Sequence, residues 1–374
     1  MNYKIVSSSK LEKSFGILCY GTSFNGIGGV IKKKPEDFVV AEVLKDNARR
    51  LIGKTGKGYP LYILSKKEVD TLEAKAVIEK SIKANVNILG LKDRKALTYQ
   101  FVSARKKIRF QERVEGKGFK AILTAFTLKP LTKADLFGNS FRIVVREAKL
   151  HDDAIVMLKD ELAEGKIPNY YGPQRFGYSI SNHVVGKHII KKEFADAAGL
   201  IFGDSLPKDD PISSLRTVPL QLRRLYVSAY QSYLFNLCVS RVLEEGHLDK
   251  RGLFITFHKN ELKVDQSIRT ETSAGNDTTF VRLCPLPGYS FRDRDDMLFK
   301  KMRDVMTEEG VTPSQFYVKE MQELSAEGGL RPFSMIGWLK GWRFDENLTI
   351  NFVLLTGNYA TVLLRELMKT TIQS

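Results

Sequence analysis

Short β-branched runs alternate with helical patterns over the first 150 residues, and helical patterns dominate the stretch that follows. Phe38–Val43 and Leu61–Ser65 read as strands, with a Gly/Lys turn at 53–58 between them. A helix is expected from Thr71: Asp70 can cap it and Glu73 completes a D-x-x-E capping box. Thr98–Ala104, Ala121–Leu128 and Phe141–Arg146 read as further strands, so the pattern predicts a sheet with helices on it, of α+β type. His151–Glu164 and Leu222–Glu245 read as helices, the second with Leu222, Tyr226, Ala229, Tyr233 and Leu237 at helical spacing, an aromatic stripe suited to a core. Residues 260–277 are polar and predict no regular element. The β signal returns at Leu348–Leu355, followed by a helical pattern over Asn358–Met368. A strand that resumes after a long helical interval predicts one domain inserted into another, with helical residues of roughly 160–330 as the insert. The C-terminal strand would then rejoin the first sheet.

Charge changes this picture most. Lys and Arg number 59 against 43 acidic residues, a net charge of +16. Residues 92–120 hold ten basic and three acidic residues, and residues 1–60 hold eleven against five. Such a surplus attracts polyanions and releases their counterions on binding, which points to nucleic acid as partner. At 374 residues the chain suits two domains with ample core. Cys19, Cys238 and Cys284 are far apart and odd in number, so they predict small core residues of a reducing compartment and no disulfide framework. Met1–Lys10 is polar and no apolar run is long enough to span a bilayer, which leads to the expectation of a soluble, cytoplasmic protein.

Several motifs fail on inspection. Gly53-Lys54-Thr55 lacks the upstream glycine of a phosphate loop, because position 48 is Ala. Gly26-Ile27-Gly28-Gly29 runs into Val30-Ile31 and Pro35, which favour a strand where a dinucleotide site needs a helix. His183 and His188 lie five apart with no carboxylate or cysteine placed to complete a metal site. No cofactor and no metal are therefore expected.

The segment Gly90-Leu91-Lys92-Asp93-Arg94-Lys95-Ala96-Leu97-Thr98-Tyr99-Gln100 runs from a turn into a strand. By residues alone, Asp93 is either a solvated Asx-turn residue or a reactive carboxylate. The turn lies in the most basic part of the chain, where cations would keep the carboxylate ionised, and a carboxylate is costly beside phosphates unless chemistry needs it.

This segment resembles the G-x-K-D-x-x-A-x-T-x-Q motif around the catalytic aspartate of TruD-type pseudouridine synthases. Lys34-Pro35-Glu36-Asp37-Phe38-Val39-Val40 resembles the family's P-E-D-F-x-V signature, and Gly138-Asn139-Ser140-Phe141 its G-N-x-F motif. Pro168-Asn169-Tyr170-Tyr171-Gly172-Pro173-Gln174-Arg175-Phe176-Gly177 is similar to P-N-Y-F-G-x-Q-R-F-G, with Tyr171 in place of the usual phenylalanine. Gly357-Asn358-Tyr359-Ala360-Thr361 resembles the final G-S-Y-A-T helix, with Asn358 in place of serine. The resemblance implies a catalytic domain of residues 1–165 and 331–374, with a mixed sheet and flanking helices, and a mainly helical TRUD domain inserted as residues 166–330. It implies isomerisation of a tRNA uridine, at position 13 of the D-arm, a reaction with no net redox change that needs no cofactor; a monomer is the default expectation. The block Leu330–Trp338 looks more like that of archaeal and eukaryotic members, some of which act at other RNA positions. Asp93 aligns with the nucleophile, Lys32 with its basic partner, Phe141 with the aromatic residue on the target base and Asn139 with a residue shaping that pocket. Gln100 and Arg175 are further motif residues expected to bind substrate. For Phe141, an ordinary core position is the alternative. A non-catalytic RNA-binding protein and a methyltransferase are the other classes weighed; the first gains nothing from the carboxylate and the second lacks its methyl-donor loop.

Overall fold

The computed structural model describes residues 9–53, 58–106, 110–149, 152–177, 181–203, 210–246, 248, 251–258, 261–270 and 278–370. The first part of the chain runs α1 (Lys10–Ser14), β1 (Phe38–Leu44), α2 (Asp46–Arg49), β2 (Ile52–Gly53), β3 (Tyr59–Lys66), α3 (Thr71–Ile82), β4 (Val86–Ile88), β5 (Leu97–Ala104), β6 (Arg113–Gly116), β7 (Phe119–Thr127), β8 (Leu136–Val145) and α4 (Asp152–Ala163). It continues through α5 (Asn182–Ile190), α6 (Phe194–Phe202), α7 (Pro211–Thr217), α8 (Leu220–Glu245), β9 (Arg251–His258), β10 (Glu261–Thr270), β11 (Thr278–Leu286), α9 (Met297–Glu308), β12 (Gly329–Pro332), β13 (Gly337–Phe344), β14 (Leu348–Leu355) and α10 (Ala360–Met368). The fold is α+β, as the pattern predicts.

Ten strands form one sheet in the order β13-β14-β8-β1-β5-β3-β7-β2, with β4 added on β5 and β6 on β7. Among the described strands only β1 and β5 pair in parallel. β14 lies beside β8, from Leu348 opposite Val145 to Leu355 opposite Gly138, so the C-terminal strand enters the first sheet. Gly138 permits this approach: a Cβ there would sit 2.1 Å from Leu354 O. β8 begins at Leu136, earlier than the expected Phe141, which places the whole Gly138–Phe141 motif inside a central strand. Leu128, expected in a strand, lies just beyond β7. α3 begins at Thr71 as expected, and Asp70 Oδ1 caps it by accepting the Leu72 N–H at 2.7 Å. Of the Gly/Lys turn, positions 54–57 lie outside the described residues, as do 271–277, His151 and Asn260.

Period-2 alternation sorts side chains by face. The register puts Phe38, Val40 and Glu42 of β1, Thr98 and Gln100 of β5, Lys66 of β3 and Asn139 and Phe141 of β8 on the same face. At one end that face packs on α3 through Tyr62, Leu64, Ala74, Ile78 and Ile82. At the other end it joins the large core that holds Phe352, Leu354, Ile155, Leu158 and Leu363.

The expectation of a helical interval is corrected in one respect. β10-β9-β11-β12 form a separate four-stranded sheet inside it, and β10 occupies much of the stretch read as irregular. β10 is an edge strand held by backbone pairing to β9, from Glu261 opposite His258 to Thr270 opposite Arg251. Such a strand needs little apolar patterning, so its sequence carried no strand signal. α8 is buried almost all round: Tyr226 and Ala229 are closed to solvent, whereas Leu222 at the start of the expected stripe is exposed. Its far side meets the N-terminal segment, where Ser240 Oγ accepts the Leu18 N–H (3.0 Å) and donates to Gly16 O (2.8 Å). Residues 167–169 and 333–335 run side by side, with the Asn169 N–H on Phe333 O (2.9 Å) and the Met335 N–H on Ile167 O (2.7 Å). The three cysteines are buried and unbridged.

Candidate active site

The site assembles where the loop between β4 and β5 crosses the shared sheet face. Its support begins with Lys66 of β3, a lysine only 1% exposed whose ammonium donates to the carbonyls of Val69 (3.0 Å), Lys92 (3.3 Å) and Asp93 (2.9 Å). Burial pushes the Lys66 ammonium down from its ordinary value, and the three carbonyls take the donors that water would otherwise meet. Gln100 Nε2 donates to Gly90 O at 2.6 Å, and the Lys92 N–H reaches Thr71 Oγ1 at 3.3 Å. Lys92 Nζ pairs at 2.6 Å with Glu42, a carboxylate closed to solvent whose other oxygen accepts the Phe101 N–H. These contacts fix the loop on both sides of Asp93.

Asp93 itself is half-buried. Oδ2 accepts a hydrogen bond from Lys32 Nζ and a second from Gln174 Nε2 at 3.2 Å, while Oδ1 accepts the Lys95 N–H at 3.1 Å. Burial pushes the Asp93 carboxyl up, but Lys32, the Lys95 amide and Gln174 together outweigh it and hold the group below the ordinary carboxylate value of 3.8. A carboxylate so held is ionised at neutral pH.

The segment preceding β1 delivers Lys32. Pro35–Asp37 form a single 3-10 turn with Pro35 in its first turn, and Asp37 closes it by accepting the Lys34 N–H at 3.0 Å. Asp37 also grips Arg146 through two bonds of 2.7 and 2.8 Å, which ties the turn to the end of β8. Lys32 has a positive φ of 59°, a left-handed conformation that turns its chain back over the sheet. Its ammonium lies 4.7 Å from the Phe38 ring centre. Phe38 meets Phe141 edge-on at 6.2 Å, and Phe141 stacks on Phe352 at 5.1 Å. Asn139, two residues before Phe141 on β8, has a buried Oδ1 with no hydrogen-bond partner among the described residues.

Asp93, Lys32, Asn139 and Phe141 thus share one end of the sheet face. Gln100 shares the face but is closed to solvent, its amide spent on Gly90. Arg175 is turned away from Asp93: its guanidinium donates to Ser232 Oγ at 3.2 Å and lies 5.7 Å from the Tyr171 ring. Its neighbour Gln174 makes the contact instead, because successive residues of the 3-10 turn Pro173–Arg175 point about 120° apart. Gln174, Lys66 and Glu42 escaped the sequence reading; only the positions of Gln174 in the P-Q-R run and of Glu42 on an alternating strand hinted at them. The histidines separate. His183 is buried against Tyr233 at 5.1 Å, whereas His188 faces solvent with Glu193 and Asp196. Those two exposed carboxylates come within 4.8 Å of the His188 ring nitrogen, which corrects the expectation that no carboxylate is placed beside the histidines.

A model of the family described as tRNA pseudouridine synthase D (TruD) matches residues 14–213 and 207–367. The chain belongs to the TruD family. Pseudouridine synthases are isomerases, and that coarse activity follows the family. The chain is 30% identical to the "Probable tRNA pseudouridine synthase D" of Thermococcus sibiricus, over 96% of this chain and 99% of that one. It is 29% identical to the protein of the same name from Pyrobaculum islandicum, over 98% of both. Among solved structures, the crystal structure of the protein described as tRNA pseudouridine synthase D (TruD) from Methanosarcina mazei is similar, with a TM-score of 0.77, 25% identity and coverage of 98% of this chain and 99% of that one. Among the described residues no helix is long and apolar enough to cross a membrane.

Proposed function

We propose that this TruD-family chain isomerises uridine 13 in the D-arm of tRNA to pseudouridine, with Asp93 as nucleophile. The single observation that carries the reading is the Asp93 carboxylate, kept ionised by Lys32 and Gln174 at the edge of an aromatic floor in a strongly basic chain. The target uridine leaves its stack, at a cost of roughly a few kcal/mol that phosphate contacts from the basic surface offset. Its base settles beside Asp93 at the end of the sheet where Phe141, buried against Phe38 and Phe352, forms the floor, and a side-chain shift brings the buried, unpartnered Asn139 Oδ1 to the N3–H of uracil. Asp93 adds at C1′ or at C6. Either route breaks the N1–C1′ bond, turns the base and makes the C5–C1′ bond; the C5 proton then leaves and N1 gains one, so the reaction needs no redox step. Lys32 keeps Asp93 charged as it detaches, a task for which its ammonium serves as a point charge. Gln100 holds the loop from beneath, and Arg175 faces the RNA path beside Tyr171.

On this reading residues 1–165 and 331–374 form the catalytic unit, residues 166–330 the inserted TRUD domain, and tRNA lies between them. The protein acts as a cytoplasmic monomer without cofactor or metal. The test incubates unmodified tRNA transcripts with the protein and maps pseudouridine by carbodiimide-dependent primer extension. A stop at uridine 13 that vanishes with Asp93→Asn, while tRNA binding persists, supports reaction, target and nucleophile together. Wild-type turnover by Asp93→Asn sinks the mechanism.

A further inference from the structure

A cavity opens beside the loop that carries Asp93. It is about 310 Å³ in volume and lies between the start of α3, strand β4, the loop after it and the end of β5. That size is at the low end of ligand pockets, which begin at about 300 Å³. None of Asp93, Lys32, Gln174 or Phe141 lines it.

Two properties of its wall require an explanation. Leu72 and Leu91 line it while 57% and 69% exposed, so two large aliphatic side chains flank an open cavity. The charged side chains that line it are all cationic, Lys75, Arg105 and Lys133, with no carboxylate among them. Lys75 leans on Glu79 at 3.3 Å. Arg105 is braced by a neutral group: its Nε donates to Asn87 Oδ1 at 2.6 Å, and the Asn87 amide is itself fixed by donation to Leu131 O at 2.9 Å. The guanidinium is therefore held rigid with donors to spare. Along the chain the charge continues into Lys106, Lys107 and Arg109. An apolar slot with a cationic rim matches one unstacked nucleotide, its base between the leucines and its phosphate on Arg105 and Lys133. Leu91 precedes Asp93 by two residues, so the Cα atoms of Asp93 and of this one wall residue are at most about 7 Å apart. Consecutive nucleotides of an extended strand span such a gap.

We infer that this cavity holds a second splayed-out nucleotide of the substrate RNA, a neighbour of the target uridine, and so fixes which base reaches Asp93. The inference rests on the catalytic reading given above. The Leu72→Trp change fills the slot yet retains every charge, and Leu91→Trp does so from the opposite wall. The paired change Arg105→Ala and Lys133→Ala keeps the slot and removes its rim charge. Binding of labelled, unmodified tRNA transcript to the full chain is measured by anisotropy across a salt series, with heparin as a competitor and thermal melting as a check on folding. Both tryptophan variants are expected to weaken tRNA binding by about tenfold or more, while the alanine pair also lowers the salt slope by about one to two. Wild-type affinity in a tryptophan variant that melts like wild type overturns the proposal. So does a loss confined to the alanine pair and equal for tRNA and heparin, since that marks general attraction to a polyanion. Failure of the catalytic reading is distinct: wild type then makes no pseudouridine in any tRNA, while the binding comparison still reads the slot.

Discussion

Replacing Lys32 with methionine removes one ammonium while keeping an unbranched chain of similar length in its place. The pair it breaks is largely sheltered, with Lys32 at 6% and Asp93 at 24% side-chain exposure. Hydrogen bonds to charged groups contribute about 1.5–3 kcal/mol, and breaking a fully buried pair costs about 3–5. The solvent that reaches Asp93 discounts the upper figure, leaving about 2–3 kcal/mol at neutral pH. If the same energy is lost from the transition state, single-turnover pseudouridine formation falls by roughly 30- to 160-fold. The pH response separates this cause from a general loss of fold. In the wild type the Asp93 carboxyl titrates below 3.8, so its contribution to stability is present above that value and is lost as pH falls through the native pKa. Without Lys32, the largest influence opposing the burial that pushes the carboxyl up is gone and the Lys95 amide, Gln174 and the more distant Lys66 remain, so the acid limb of activity moves to higher pH. Single-turnover rates from pH 4.5 to 8, with melting curves at each pH, measure both effects. An unmoved acid limb and a rate within about threefold of wild type refute the argument.

Three other outcomes are expected. Gly138→Ala drives a methyl group into Leu354 O, which a Cβ would approach to 2.1 Å, so it should lower stability by a few kcal/mol, about 2–4, and displace Asn139 and Phe141; a variant with wild-type melting and turnover argues against the strand approach. His183 is buried among aromatic rings and burial lowers its pKa from 6.5 to about 4, so the unfolded chain binds the proton first as pH falls and stability drops between pH 6.5 and 4. His183→Phe should flatten that slope, which is worth up to about 3 kcal/mol, and a melting profile identical to wild type over this range counts against it. The affinity for tRNA should fall steeply and log-linearly with salt, as counterion release requires; a flat response would separate the +16 charge from the binding surface.

Much of the site was legible in the sequence because its chemistry is local. Asp93, Lys32, Asn139 and Phe141 sit in motifs whose neighbours set their backbone: Pro35 and Asp37 build the turn behind Lys32, and alternation along β8 puts Asn139 and Phe141 on one face. The sheet strands with clear apolar alternation were legible for the same reason. The strand β10 was not, because an edge strand depends on its neighbour's backbone and not on its own side chains. Within the P-Q-R run, the choice of Gln174 over Arg175 as the residue that meets Asp93 depends on how a 3-10 turn is rotated, which a linear pattern does not record.

The amino-acid sequence by itself determined the α+β class, the net positive charge, the family and the position of the candidate carboxylate, since composition, periodicity and short motifs need no long-range contact. Tertiary structure decided what that carboxylate feels. Lys32 and Asp93 are 61 residues apart and Gln174 and Asp93 are 81, and they meet because β1 and β5 pair in parallel and the 3-10 turn at Pro173 lies over the loop. The same packing buries Lys66 and Glu42, two charges that a sequence reading assigns to solvent, and makes them the supports of the loop. A charge is affordable in the interior only where its partners are already in place, and those partners come from distant parts of the chain.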